Sequence, residues 1–153
     1  MIGNDLVDLE QADKNSNWQR KGYLDKIYTY QEQQLILKSQ NPSQMVWTLW
    51  SMKEAAYKIH SREKNIRTFA PTSLVCNLLN FSNNTGLVSI DNRAYYTKSY
   101  VSNSYIHTLA APSLVILSRI KELIYKNPPT DFNYRNTNPK CVSHHGQYLA
   151  LVY

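Results

Sequence analysis

The stretch from Asn41 to about Arg62 carries the longest helical pattern in the chain, and it limits what the remaining segments can pack against. Asn41 is a good N-cap, and Pro42 follows at the first helical position, where a missing N–H costs nothing. Met45, Leu49, Met52, Ala56 and Ile59 recur at three- and four-residue spacing and form one apolar face. At about 100° per residue, Glu54 points away from that face, with Trp47, Trp50 and Lys58 around it. An ordinary solvent face also carries Glu and Lys four apart, as a plain surface ion pair. It does not usually set two indoles beside them, and that setting points to a partly dry site that holds charge.

A chain of 153 residues is expected to form one domain, 1–153, with a real core. With 42% apolar and 18% charged residues it reads as globular rather than disordered. No apolar run reaches membrane-spanning length, and MIGNDLVDLEQADK is not a signal pattern, so a cytosolic location without membrane partners is expected. Cys76 and Cys141 make neither a disulfide framework nor a zinc site. The formal charge of +6 favours anionic partners, such as phosphates, nucleic acid or an acidic protein.

Residues 1–9 read as a short, mostly apolar strand. Gly3 weakens a strand unless something must approach the backbone there. Asp5, among Ile2, Leu6, Val7 and Leu9, is either a turn-former or a site residue. Residues 10–28 suit a loop with a short helix around Gly22–Ile27. Thr29 and Glu32 make a capping box for a helix over Tyr30–Lys38, and Glu32 is expected to serve only as that local cap. Four strands follow, over 72–79, 87–90, 94–101 and 105–110, the first two joined at Ser82-Asn83-Asn84-Thr85-Gly86. Residues 114–126 read as strand at the start and helix in the second half. Gly146 marks a tight turn before a final strand. Helices early and a mainly antiparallel sheet late, packed against the long helix, make an α+β domain.

Three pieces, in order, resemble the 4′-phosphopantetheinyl transferase superfamily. Gly3-Asn4-Asp5-Leu6-Val7 is similar to its Gly-x-Asp-Ile-(Val/Glu) opening. Trp50-Ser51-Met52-Lys53-Glu54-Ala55-Ala56-Tyr57-Lys58 resembles its Trp-x-x-Lys-Glu-(Ala/Ser)-x-x-Lys signature. Ser143-His144-His145-Gly146-Gln147-Tyr148-Leu149-Ala150 resembles its Ser-His-x-x-x-Tyr-x-Ala hairpin. Thr29-x-x-Glu32 matches a fourth element without its leading hydrophobe, and residues 80–138 carry no alignable motif.

The resemblance implies transfer of the phosphopantetheine arm of coenzyme A to a serine of an acyl or peptidyl carrier protein, with release of 3′,5′-ADP. It implies Mg²⁺ held by Asp5 and Glu54, since Mg²⁺ takes one or two carboxylates plus water and phosphate oxygens. Glu54, directly or through water, is implied as the base for the carrier serine, and Lys58 as the partner of a phosphate oxygen. Lys53, Ser143 and His144 join Lys58 as implied coenzyme A contacts; His144 can alternatively serve only to order the hairpin. Val7 stands where the longer, two-lobed members have a third metal carboxylate, so the chain looks like the short, holo-acyl-carrier-protein-synthase type. Leu49 replaces an arginine and Gln11 a basic residue of that type, and Cys141 replaces the first hairpin serine. Two-lobed members face the hairpin and the carboxylates from different lobes. A single short lobe is therefore expected to borrow the hairpin from a neighbouring copy in a homo-oligomer, a trimer by analogy. The carrier's pathway (fatty acid, polyketide or peptide) is not specified by these motifs.

Two other readings compete. Tyr95, Tyr96, Tyr100 and Tyr105, interleaved with Arg93 and Lys98, could stack on single-stranded nucleic acid, although alternation on ordinary strands accounts for them as well. Leu49 and Gln11 also fit a homologue that binds coenzyme A or a carrier without turnover. His60 reads as a solvated helix end, His107 as a strand residue and Cys76 as core.

Overall fold

The computed structural model describes residues 1–153. In chain order its helices and strands are β1 (Gly3–Asp8), α1 (Leu9–Asn15), α2 (Tyr23–Ile27), α3 (Tyr30–Lys38), α4 (Pro42–Lys64), β2 (Val75–Asn80), β3 (Thr85–Ile90), β4 (Arg93–Val101), β5 (Tyr105–Ala111), α5 (Leu114–Ser118), β6 (Glu122–Lys126), β7 (Cys141–His145) and β8 (Tyr148–Val152). The long helix starts as expected. Asn41 accepts from the Gln44 N–H, Pro42 fills the first turn, and Asn65 closes the end in the left-handed region at φ 54°.

Five antiparallel strands form one sheet in the order β1-β5-β4-β3-β2, and β6-β8-β7 form a second. One face of the large sheet packs Val7, Val88, Tyr95 and Ile106 against Leu49, Met52, Ala56 and Ile59 of α4 in the main core. The other face meets the small sheet, where Leu6 packs with Tyr148 and Ala150, and Ile2 and Leu109 with Val152. Strand β1 is thus covered on both sides, and all six of its residues are buried. Its polar residues Asn4, Asp5 and Asp8 are therefore buried together with Leu6 and Val7. The fold is α+β, with a large antiparallel sheet packed against helices. No helix is long and apolar enough to cross a membrane.

Gly3 explains how β1 and α4 come so close. A Cβ there would run into the backbone carbonyl of Ala55 and the Ile59 side chain. Only glycine lets the strand lie directly on the helix. Two residues further along β1, the Asp5 carbonyl accepts from Ser51 Oγ of α4, and the Asp5 side chain shares a cavity with Glu54.

Several expectations are corrected. Residues 9–15 form a helix, because the Asp8 side chain caps it by accepting from the Gln11 N–H. Residues 114–126 run in the reverse order, helix α5 first, capped by Ser113, and strand β6 second, paired with β8. Glu32 does close the capping box, but it also accepts from Lys53 Nζ at 2.7 Å and from the Cys76 N–H at 2.7 Å. It is a buried joint between α3, α4 and β2. His60 is not solvated; it is 2% exposed, against the Tyr95 hydroxyl and Asp91. The tyrosine stripe is divided between the two faces of the sheet. Tyr95 sits in the core beneath α4, Tyr100 packs on Tyr105 and Tyr105 on Tyr148 on the opposite face, and Arg93 is paired with Glu63. Cys76 is buried in the main core, as expected.

Candidate active site

The outer edge of β1 builds the site. As the last strand of its sheet, β1 leaves a row of backbone groups without strand partners, and such groups must be satisfied when buried. Three side chains do this. Lys58 Nζ donates to the Asn4 carbonyl at 2.6 Å, Ser143 Oγ accepts from the Leu6 N–H at 3.0 Å, and His145 Nδ1 accepts from the Asp8 N–H at 2.8 Å. Lys58 also reaches Ser143 Oγ at 3.4 Å. Strand β7 therefore lies along β1 through side chains rather than a backbone ladder.

Around this seam opens a cavity of about 530 Å³, whose walls include Asp5, Trp47, Trp50, Glu54, Lys58, Ser143, His144 and His145. The structure thus brings together Asp5, Glu54, Lys58, Ser143 and His144 of the expected site residues, with both indoles alongside. The hairpin belongs to the same chain as the carboxylates. The expectation that it is borrowed from a neighbouring copy is corrected, and a trimer is not required to build this cavity. The physical reason is that β6-β8-β7 folds back over β1 and carries the hairpin there itself.

Lys53 is the second correction. Its ammonium is completely buried away from the cavity, paired with Glu32 and donating to the carbonyls of Ile27, Pro71 and Leu74. All its donors are used inside the core, so it is not available to coenzyme A. One residue along a helix is a turn of about 100°, and that rotation separates it from Glu54.

The cavity is electrostatically unbalanced. Lys58 Nζ stands 3.5 Å from Asp5 Oδ1, so the helix lysine pairs with the strand acid, and no ion pair links it to Glu54 four residues before it. Burial still raises the Asp5 carboxyl above its usual range, against the lowering pull of Lys58, Ser51 and His145. Glu54 is pushed up to about 7, first by burial and next by the neighbouring Asp5 charge, with Lys58 opposing. Burial raises both acids, and the Asp5 charge adds to the rise at Glu54, so the two share one site.

Two cavity-lining side chains also keep buried polar atoms without partners, Asp5 Oδ2 and Trp47 Nε1. An orphaned carboxylate oxygen beside a second, proton-retaining acid fits a hard cation. Val7 lies in the core, and no group of three or more His, Cys, Asp or Glu side chains could hold a metal alone. A cation here would have Asp5 and Glu54 as its protein ligands and draw its remaining oxygens from water or substrate, as Mg²⁺ typically does.

Leu49 is 0% exposed in the main core, so an arginine could not reach the cavity from that position without leaving the helix packing. Gln11 is half-buried on α1 and donates to Asn15. Reading the sequence missed three residues. Asn4 is buried, with Nδ2 3.3 Å from Nε2 of His107, whose protonation is pushed down to about 4 by burial and Lys58. Asp8 accepts from the N–H groups of Gln11 and Gln147 and sits against Gly146, so it clasps the hairpin turn. His145 satisfies the β1 edge. The one signal available was alternation, which puts Ser143 and His145 on the same side of β7.

A family model described as the 4′-phosphopantetheinyl transferase superfamily matches residues 1–110. No curated protein matches the chain. The matched span includes Asp5, Glu54 and Lys58 and ends before the β7–β8 hairpin, whose position against them comes from the structure.

Proposed function

The chain belongs to the 4′-phosphopantetheinyl transferase superfamily, and from that premise we propose that it moves the phosphopantetheine arm of coenzyme A onto a serine of an acyl or peptidyl carrier protein. The observation that carries this reading is the convergence of Asp5, Glu54 and Lys58 on one cavity, with Asp5 Oδ2 left unpaired. Asp5 and Glu54 are the residues to hold Mg²⁺, which when bound supplies positive charge against the diphosphate of coenzyme A.

Glu54, directly or through a water, suits the role of base, because it is the carboxyl on the α4 side of the cavity, opposite Asp5 and one turn from Lys58. It takes the proton of the carrier serine hydroxyl. The serine oxygen bonds to the phosphorus that bears the pantetheine arm, the bond from that phosphorus to the bridging oxygen breaks, and 3′,5′-ADP leaves with the electron pair. Lys58, held at the β1 edge by the Asn4 carbonyl, is placed to meet phosphate charge as it builds up. Such catalysis is chiefly positioning and charge stabilisation. His144, exposed on the cavity rim, is a further coenzyme A contact, and Ser143 acts through Lys58.

The test is incubation with coenzyme A, Mg²⁺ and apo carrier proteins of fatty acid, polyketide and peptide synthesis, followed by intact-mass measurement. Addition of one phosphopantetheinyl mass to a carrier is expected, and loss of that addition in a folded Glu54→Gln variant. No mass shift on any carrier, or full turnover by the variant, contradicts the reading.

A further inference from the structure

We propose that His145, the residue after the motif histidine, is a second imidazole donor to the phosphate groups of coenzyme A; this rests on the transferase reading of the cavity. Its Nδ1 accepts the Asp8 N–H at 2.8 Å, and a backbone N–H can only donate. Nδ1 therefore carries no proton, and the ring's proton is on Nε2. That nitrogen makes no hydrogen bond within the chain, while the ring lines the cavity shared with Asp5, Glu54 and Lys58.

The ring is also held in place. Asp8 fixes both ends of the arrangement, donating its backbone N–H to the ring and accepting the Gln147 N–H across the turn with its carboxylate. Gly146 makes this possible, at φ 56° and so close to the Asp8 carboxylate that any side chain would collide with it. A fixed tautomer on a fixed ring is a preorganised donor, of the kind that binds an anion without reorganising. His144, on the opposite side of β7 and exposed, has no such restraint.

The experiment is ¹⁵N NMR of the histidine side chains in the full chain, with and without coenzyme A and Mg²⁺, alongside calorimetric coenzyme A affinity of wild type and His145→Phe. The His145 Nε2 resonance is expected to move on binding while Nδ1 keeps its unprotonated, hydrogen-bonded signature, and His145→Phe is expected to bind about ten- to thirtyfold more weakly. Pantetheine, which lacks the phosphates, should leave Nε2 unmoved. Coenzyme A binding with a silent Nε2, or with unchanged affinity in a folded His145→Phe, overturns this inference alone. Absence of coenzyme A binding by the wild type overturns it together with the transferase reading.

Discussion

Glu54→Gln should make the metal-free protein more stable above neutral pH while removing its activity. In the native state Glu54 keeps its proton up to about 7, against an ordinary value of 4.5. The unfolded chain therefore loses this proton first. As pH rises from 4.5 to 7 the native state binds more protons than the unfolded one, so stability falls across that window and levels off above it. The gap amounts to about 3 kcal/mol at roughly 1.4 kcal/mol per pH unit. Glu54 is only half-buried at an open cavity, and solvent screening reduces the expected loss to about 1–2 kcal/mol. Glutamine is neutral at every pH. Thermal melts of wild type and variant should coincide near pH 4.5 and separate by roughly 2–8 °C at pH 8. Adding Mg²⁺ at pH 8 should restore the wild type toward the variant and leave the variant unmoved. Parallel melting curves from pH 4.5 to 8 would refute the claim that burial and Asp5 strain this carboxyl.

Two further substitutions separate architecture from chemistry. Gly3→Ala should cost about 1–3 kcal/mol, seen in urea denaturation, because its methyl must displace β1 from the Ala55 carbonyl; transfer should fall with it, as Asp5 is carried away from Glu54. Lys53→Met should cost about 3–5 kcal/mol in the same assay, leaving Glu32 as an uncompensated buried charge. The folded fraction of Lys53→Met should bind coenzyme A with unchanged affinity by calorimetry, and weakened binding would return Lys53 to the site.

The long helix was legible because its signals are local, namely Asn41, Pro42 and an apolar stripe that the structure buries at Leu49, Met52, Ala56 and Ile59. The pairing of Asp5 with the Glu54 face was legible only through the motifs, since nothing in either segment specifies that β1 lies on α4. Gly3 records that contact, but a glycine in a strand has several meanings. Helix α1 was hidden because its cap, Asp8, also belongs to β1. Strand β6 forms on β8 from more than twenty residues later in the chain, and its own apolar spacing suits a helix equally well. Lys53, Glu32 and His60 were misplaced for a common reason. Each charged or polar side chain is buried by a partner distant in sequence, whereas residue type alone suggests solvent.

The most direct measurement for the paired carboxylates is a titration with Mn²⁺, as a paramagnetic substitute for Mg²⁺, followed by electron paramagnetic resonance with coenzyme A present. One bound ion per chain is expected in the wild type, with binding lost or greatly weakened in Asp5→Asn and in Glu54→Gln. Undiminished Mn²⁺ binding in both variants would show that these two acids do not form a shared cation site.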